Sequence, residues 1–263
     1  SVYSMKIIAI DIGNTSVDIG LFYGDELTRT ARISTKDNKS EFEIADSIKS
    51  LLRIGEIEPK DIDIIISSVV PNKTQIVEKS SEIINNKKPI IVNHNFNLPV
   101  KNKYNPPEDV GIDRLVDSVA AVKLYGSPSV ILDIGTCLVF NAVSSDNEYL
   151  GGSIIPGLNM AADSLASSTA LLRPVELRIP KNIIGKNSIE SIQSGIILGY
   201  TELIKGVYKK YSEKISSKKD SPLIITGGGA ELILPILDLD YVYNENLSFM
   251  GLKYIYEQEN NKK

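Results

Sequence analysis

Apolar and polar residues along the chain follow two alternating patterns. Continuous apolar runs at 6–12 and 61–71 are typical of strands buried in a sheet. The segment 40–55 instead has apolar residues at helical spacing, with a serine at its start and a glycine at its end. Further strands are predicted at 17–23, 88–93, 129–143, 148–157 and the start of 221–237, and further helices at 72–85, 111–126, 160–172, 187–215 and the end of 221–237. This order predicts an α/β fold.

A short motif occurs twice, each time at the end of a predicted strand. Residues 11–13 and 133–135 both read Asp-Ile-Gly, and a threonine follows each within two positions. The repeat indicates two related halves. We therefore expect one domain at 1–116 and a second at 117–263, and the last helix could pack back on the first domain.

The repeated motif has the chemistry of a phosphate-binding turn. Glycine lets the backbone approach a ligand closely, and the N–H groups of a tight turn form a cradle for phosphate oxygens. A carboxylate beside phosphates would be repelled unless a cation lay between them, so the motif indicates Mg²⁺ or another hard ion. One copy alone is better explained by a turn cap and a positive φ, but two copies at strand ends favour binding.

A run of three glycines forms a third candidate element. Gly227, Gly228 and Gly229 follow a predicted strand and precede a predicted helix. Bare backbone at such a place can pack against a flat or anionic group, although the run alone is weak support. No G-x-G-x-x-G follows the first strand and no G-x-x-x-x-G-K-[ST] occurs, which disfavours Rossmann and P-loop sites.

The composition favours a soluble, cytoplasmic globular protein. The 263 residues, 42% of them hydrophobic, can bury the core of one large or two smaller domains. Cys137 and His94 are the only residues of their types, which excludes disulfides and cysteine-rich or histidine-rich metal sites. No apolar run is long enough to span a membrane, and a net charge of −4 without a basic stripe argues against nucleic acid. The first four residues are interpreted as a cloning remnant, and the lysines at 218–219 as a solvated loop.

Six segments together resemble type III pantothenate kinase, a family in the superfamily of sugar kinases, Hsp70 and actin. They are DIGNTSVDIGLF, KYNPPEDVGIDRLVDSVAA, LDIGT, YLGGSIIPGL, GKNSIESIQSGIILGY and ITGGGAEL, and Gly-Ile-Asp-Arg at 111–114 is the most specific string. The resemblance implies an actin-like (ribonuclease H-like) fold, with two related domains of mixed β-sheets flanked by helices and a nucleotide cleft between them. It also implies transfer of the ATP γ-phosphate to the primary hydroxyl of pantothenate, the first step of coenzyme A biosynthesis. The enzyme would be a homodimer that needs Mg²⁺ and a monovalent cation, K⁺ or NH₄⁺.

The resemblance further implies roles for individual residues. Asp113 would accept the proton of the attacking hydroxyl, unless it only caps a helix or pairs with a lysine. Arg114 would bind the pantothenate carboxylate or phosphate oxygens, unless it makes only a surface ion pair. Tyr104 would line the substrate pocket, unless it serves only in packing. Asp11 would hold Mg²⁺ and Asp133 the monovalent cation. The remaining implied ligands are Gly111, Ile112 and Ser188 for pantothenate, and Asp11, Gly13, Asn14, Thr15, Ser16, Thr136, Gly227, Gly228 and Gly229 for ATP.

The second loop departs from the family pattern, which runs approximately D-x-G-T-A-T-T-x-D. Here Leu138 and Val139 replace two hydroxyl residues, and Asn141 replaces the last carboxylate. If either hydroxyl made a hydrogen bond, its loss would cost about 0.5 to 1.5 kcal/mol. Two alternatives therefore stay open, a kinase of another small hydroxylated acid and a non-catalytic regulatory homologue. Retention of three aspartates, at positions 11, 113 and 133, argues against the second.

Overall fold

The computed structural model describes residues 5–216 and 221–261, so the first four residues and the lysines at 218–219 lie outside the described residues. The strands are β1 (Lys6–Ile12), β2 (Ser16–Tyr23), β3 (Glu26–Ser34), β4 (Asp63–Ser68), β5 (Ile90–Ile91), β6 (Lys101–Asn102), β7 (Ser129–Ile134), β8 (Cys137–Val143), β9 (Glu148–Pro156), β10 (Leu223–Thr226) and β11 (Val242–Tyr243). The α-helices are α1 (Glu41–Ile54), α2 (Pro71–Asn85), α3 (Ile112–Tyr125), α4 (Leu158–Ser168), α5 (Ser188–Ile215) and α6 (Leu247–Asn260). Over the described ranges, none of these helices combines the length and apolar character that crossing a membrane requires.

The strands form two mixed sheets that repeat one strand order. The first sheet runs β3-β2-β1-β4-β5, and the second runs β9-β8-β7-β10-β11 with β6 added beside β9. In both, an antiparallel meander of three strands is followed by two parallel strands. Strands β1 and β7 therefore hold equivalent places, and the repeated Asp-Ile-Gly motif ends the same strand of each sheet.

The described chain divides into two compact units. The first unit contains residues 5–99, 105–120 and 247–261, and the second contains 100–104, 121–216 and 221–246. The expected boundary between 116 and 117 falls inside α3, four residues before the division after Ala120. Each unit has its own apolar core, built on β1, β2, β4, α1 and α2 in the first and on β7, β8, β10 and α5 in the second.

Local sequence signals explain where several elements begin and end. Ser40 and Glu43 form a reciprocal capping box at the start of α1, so two backbone N–H groups that the helix leaves unpaired are satisfied. Gly55 ends the same helix, as predicted. The α1 residues Ile44, Ile48 and Leu52 then recur at helical spacing and are buried against the first sheet.

Several features of the fold differ from the sequence prediction. The helix expected after the glycine run is wrong, because 228–232 and 234–236 form two short 3-10 turns and Pro235 cannot continue a hydrogen-bonded helix. The helix expected to reach 172 ends at Ser168, where Thr169 turns to extended backbone. No bounds were predicted for strand β3, because its residues are mostly polar and exposed and it lies at the edge of the sheet.

Candidate active site

The loop expected to bind phosphate after β1 is a hydrogen-bonded turn with an exposed tip. The Gly13 N–H donates to the Ser16 carbonyl at 2.9 Å, and Thr35 donates from its hydroxyl to the Gly13 carbonyl at 2.8 Å and from its N–H to the Thr15 carbonyl at 2.9 Å. The side chains of Asn14 and Thr15 are exposed at this tip. The loop therefore presents an amide and a hydroxyl on a backbone that is already ordered.

Two aspartates beside this loop have different surroundings. Asp11, near the end of β1, accepts a hydrogen bond from the Ser67 hydroxyl at 2.7 Å, because Ser67 lies opposite it on the parallel strand β4. Asp18, opposite Asp11 on β2, accepts from the Ser16 hydroxyl at 2.8 Å and pairs with Arg32. The side chain of Ser16, one of the expected ATP ligands, is thus engaged within its own strand.

The amino end of α3 holds the expected base. The Asp113 carboxylate accepts the N–H of Arg114 at 2.8 Å. A side-chain carbon at Gly111 would lie 2.4 Å from the same carboxylate oxygen, so any other residue at this position would have to displace the Asp113 side chain. Arg114 and Ile112 are buried, so only the backbone groups of Ile112 remain for a ligand.

The charge state of Asp113 is set by this position. Burial raises the pKa of the Asp113 carboxyl above its ordinary value near 3.8, and the hydrogen bond from the Arg114 N–H and the arginine charge oppose the rise. The carboxylate therefore holds a proton more tightly than an exposed aspartate would. Such a shift suits a group that must accept a proton.

The second phosphate loop is closed by backbone contacts. The Gly135 N–H donates to the Cys137 carbonyl at 3.0 Å, and the Gly157 N–H, at the start of α4, donates to the Thr136 carbonyl at 3.1 Å. A side-chain carbon at Gly157 would lie 2.3 Å from that carbonyl, so only glycine lets α4 begin so close to the loop. Thr136 is exposed at the tip.

The glycine run packs directly on this loop. Thr226 lies opposite Asp133 in the parallel pairing of β10 with β7, so Gly227 follows beside the carboxylate. Gly227 has φ +93°, and a side-chain carbon there would lie 2.3 Å from Asp133 Oδ1. Gly229 similarly approaches the Ile134 carbonyl, while Gly228 is exposed. The structure thus brings two of the elements predicted separately, Asp133 and the glycine run, into contact.

Tyr104 and Ser188 complete the expected residues of the second unit. The Tyr104 ring lies 6.2 Å from the Tyr149 ring, centroid to centroid, at an interplanar angle of 42°. Ser188 is exposed at the first turn of α5, where the Asn187 side chain caps the helix by accepting the Glu190 N–H at 3.0 Å. The Ser188 hydroxyl therefore lies at the amino end of a long helix.

The three departures in the second loop have different consequences. Leu138 points into the core and is fully buried, so a hydroxyl there would not face the loop. Val139 lies opposite Asp133 on the neighbouring strand and is half-buried, so its change removes a hydroxyl beside that carboxylate. Asn141 is buried and accepts the Tyr149 hydroxyl at 2.9 Å. Of the three changed residues, only Val139 lies opposite Asp133.

Sequence reasoning missed three residues that shape the two loops: Ser67, Thr35 and Gly157. The polar pair Ser67-Ser68 ending an otherwise apolar strand was a usable signal, since polar residues at strand ends in α/β sheets often face a ligand. Thr35 carries no such signal, because it lies within a run of polar residues. Gly157 stands in the segment YLGGSIIPGL, but its contact with Thr136 is made only in the folded chain.

The donor set suits hard cations. Each loop offers a carboxylate, Asp11 in one and Asp133 in the other, and no group of three or more His, Cys, Asp or Glu side chains suited to a metal occurs among the described residues. Mg²⁺ typically keeps several waters and takes one or two protein carboxylates together with phosphate oxygens. A single carboxylate beside a turn with free space for phosphate would fit that preference, as expected for Asp11 and Asp133.

Comparison with known proteins identifies the family. A family model described as type III pantothenate kinase matches residues 7–210. The chain belongs to the type III pantothenate kinase family. A relative of that name from Persephonella marina is 35% identical over 97% of this chain and 100% of its own, and one from Geobacillus sp. (strain WCH70) is 37% identical over 98% and 99%.

A solved structure supports the same fold. MreB5 of Spiroplasma citri, solved with AMPPNP, superposes with a TM-score of 0.55 at 11% identity, covering 98% of both chains. MreB is an actin-like ATPase, so the predicted fold class, two mixed sheets flanked by helices in an actin-like arrangement, is confirmed.

Proposed function

We propose that this chain is a kinase that transfers the γ-phosphate of ATP to the primary hydroxyl of pantothenate, giving 4'-phosphopantothenate for coenzyme A biosynthesis. The observation that carries this proposal is Asp113, which stands in the Gly-Ile-Asp-Arg string of a family member at the start of α3 with a raised pKa. A primary alcohol must lose its proton as it attacks phosphorus, and a positioned carboxylate can accept it.

The other residues have roles that fit their surroundings. Arg114 offers a planar fork for the pantothenate carboxylate or for phosphate oxygens. The first loop, with Gly13, Asn14 and Thr15, and the second, with Thr136, would bind the phosphates of ATP, and Gly227–Gly229 would accept its adenosine part. Gly111, Ile112, Tyr104 and Ser188 would contact the acceptor.

Cations complete the proposed chemistry. Asp11 would hold Mg²⁺, which neutralises phosphate charge, and Asp133 would hold a monovalent cation, K⁺ or NH₄⁺. Val139 leaves one hydroxyl fewer beside Asp133, so a weaker dependence on the monovalent ion is expected than in relatives that have threonine there. A location in the cytoplasm stays a prediction.

The first test is phosphorylation of pantothenate by ATP with Mg²⁺ and with K⁺, Na⁺ or NH₄⁺ in turn. In Asp113→Asn the amide keeps an acceptor for the Arg114 N–H but cannot take a proton, so kcat should fall by about 10²- to 10⁴-fold. Asp109→Asn, which changes an exposed carboxylate four residues earlier, is the matched control and should keep wild-type kcat. Turnover with another hydroxylated acid but not with pantothenate would instead favour the alternative kinase.

We also propose that the chain forms a homodimer. The segment 169–187 and the start of α5 expose several large apolar residues, among them Ile183 (79% exposed), Ile184 (80% exposed), Leu171 and Ile189. The amide of Gln193 donates to the Glu176 carbonyl, so this segment lies along α5. Exposed apolar side chains in one region indicate a surface that another chain covers.

A charge placed on this surface should separate the dimer. Ile184→Asp is expected to sediment as a monomer at micromolar concentration, because a carboxylate would be buried without a partner. Phe42→Asp, at an apolar residue of α1 in the first unit that is 67% exposed, is the control and should leave the oligomeric state unchanged. A wild-type monomer would contradict the proposal.

A further inference from the structure

Tyr104 lies in a connecting segment that has little regular structure of its own. It follows the two-residue strand β6 and precedes Pro106 and Pro107. A side chain in such a segment keeps a fixed orientation only if other elements hold it. Its own backbone N–H donates to the Asn102 side chain at 2.9 Å, and the Lys103 N–H donates to the Tyr149 carbonyl at 2.9 Å.

The surface that holds the Tyr104 ring is formed by β9. Gly151 has φ +112°, and a side-chain carbon there would lie 3.4 Å from Cδ2 and Cε2 of Tyr104. The ring of Tyr149 also lies against the Tyr104 ring, in a tilted arrangement. Tyr149 itself is completely buried, so the Tyr104 ring rests on a side chain that has little freedom.

A hydrogen bond to Asn141 fixes Tyr149 in turn. The register of β8 and β9 shifts between Ala142 and Val143, so that Tyr149 lies opposite Val143 and on the same sheet face as Asn141. The Tyr149 hydroxyl donates to Asn141 Oδ1 at 2.9 Å. Both partners are buried, and a buried amide or hydroxyl that loses its partner carries an uncompensated desolvation cost.

We propose that Asn141 and Tyr149 are positioning residues that fix Tyr104 for binding of the phosphoryl acceptor. This rests on the proposed function, in which Tyr104 contacts pantothenate. Neither residue touches the substrate. They act by limiting the orientations of the Tyr104 ring, so that less conformational freedom is lost when the acceptor binds. The neutral amide of Asn141 provides the acceptor oxygen at a smaller burial cost than the carboxylate in the family pattern.

The test uses variants that remove or keep the hydrogen bond from the Tyr149 hydroxyl to Asn141. In Tyr149→Phe and Asn141→Leu, the KM for pantothenate should rise about 3- to 10-fold while kcat and the KM for ATP stay near wild type. Amide hydrogen exchange at residues 103–105 should accelerate in the same two variants, measured without substrate. Asn141→Asp keeps an oxygen facing the Tyr149 hydroxyl, so the KM for pantothenate and the exchange at 103–105 should both stay near wild type.

A second buried tyrosine provides the control. Tyr256 donates its hydroxyl to Asp63 Oδ2 at 2.6 Å in the first unit, so Tyr256→Phe also removes a tyrosine hydroxyl hydrogen bond, away from Tyr104. Tyr256→Phe should lower thermal stability and leave the KM for pantothenate and the exchange at 103–105 unchanged. Unchanged exchange at 103–105 in Tyr149→Phe, or a rise in KM shared by Tyr256→Phe, would overturn the proposal. If wild type does not phosphorylate pantothenate, the proposed function fails, and exchange at 103–105 alone decides the positioning.

Discussion

Each of the three aspartates expected in the site has its own set of close neighbours. Asp11 accepts a serine hydroxyl across a parallel strand, Asp133 lies against the backbone of Gly227, and Asp113 lies over Gly111. The motifs that contain these residues could be predicted from sequence, because each combines a carboxylate with glycine at the end of a strand or the start of a helix. The contacts could not, because Ser67 and Gly227 reach their aspartates only through strand pairing.

The raised pKa of Asp113 predicts how stability depends on pH. Below about pH 3.8 the carboxyl is protonated in both the folded and the unfolded chain. As the pH rises further, the unfolded chain releases this proton first, so the unfolded state binds fewer protons and the contribution of Asp113 to stability falls until the folded-state pKa is passed. Asp113→Asn lacks this carboxyl and should avoid the loss.

Thermal unfolding of the two proteins from pH 3 to pH 7 measures this effect. The Tm of Asp113→Asn relative to wild type should increase with pH over the lower part of that range and then level off. Asp109→Asn, at an exposed carboxylate, is the control and should follow wild type at each pH. A Tm difference that decreases as the pH rises would contradict the assignment of burial as the main cause.

At the scale of elements, helices with strong local signals were predicted and elements that depend on partners were not. The capping box of α1 is formed by two residues three positions apart, Ser40 and Glu43, and so is visible in the local sequence. Strand β3 is polar and exposed, so only pairing with β2 makes it a strand. The turns after the glycine run resemble a helix in sequence, but Pro235 prevents one and the loop packs on Asp133 instead.

The contact between α6 and α3 depends on one glycine. A side-chain carbon at Gly251 of α6 would lie 2.2 Å from the Val116 carbonyl of α3, and the Ser248 hydroxyl donates to Asp117 at 2.7 Å in the same contact. Because α3 carries Asp113 at its first turn, Gly251→Ala should displace the proposed base as well as strain the packing. We expect a loss of about 1 to 3 kcal/mol in the free energy of unfolding, together with a lower kcat.

Gly206→Ala in α5 is the matched substitution for this prediction. No atom lies within 4 Å of a side-chain carbon at Gly206, so alanine there should add helix propensity of up to about 1 kcal/mol. Urea unfolding of both variants measures the comparison. Gly251→Ala unfolding at the same or a higher urea concentration than wild type would show that the two helices can adjust without cost.

At the scale of the whole molecule, the chain passes through the first unit three times. Residues 5–99 form its sheet, 105–120 supply the start of α3, and α6 returns at the end of the chain to pack on β1 and β4. The buried apolar side chains of α6 are Leu247, Phe249, Leu252, Ile255 and Tyr256. Hydrophobic pattern predicts such a helix but not the strands that it covers, because a buried helix face fits any apolar surface of similar shape.

A chain that ends after Asn246 should therefore lose the first unit selectively. The truncation exposes apolar surface on β1, β4 and α3 but keeps every residue of the second unit, including the core of β7, β8 and β10. Amide hydrogen exchange should lose protection in β1 and β4 while β7 and β10 remain protected, because cooperative units open according to their own buried contacts. A chain that ends after Asn260 keeps all of α6 and should behave as wild type. Equal loss of protection in β1 and β7 would mean that the two cores fold as one unit, and full protection in β1 would mean that α6 is not needed to hold the first sheet.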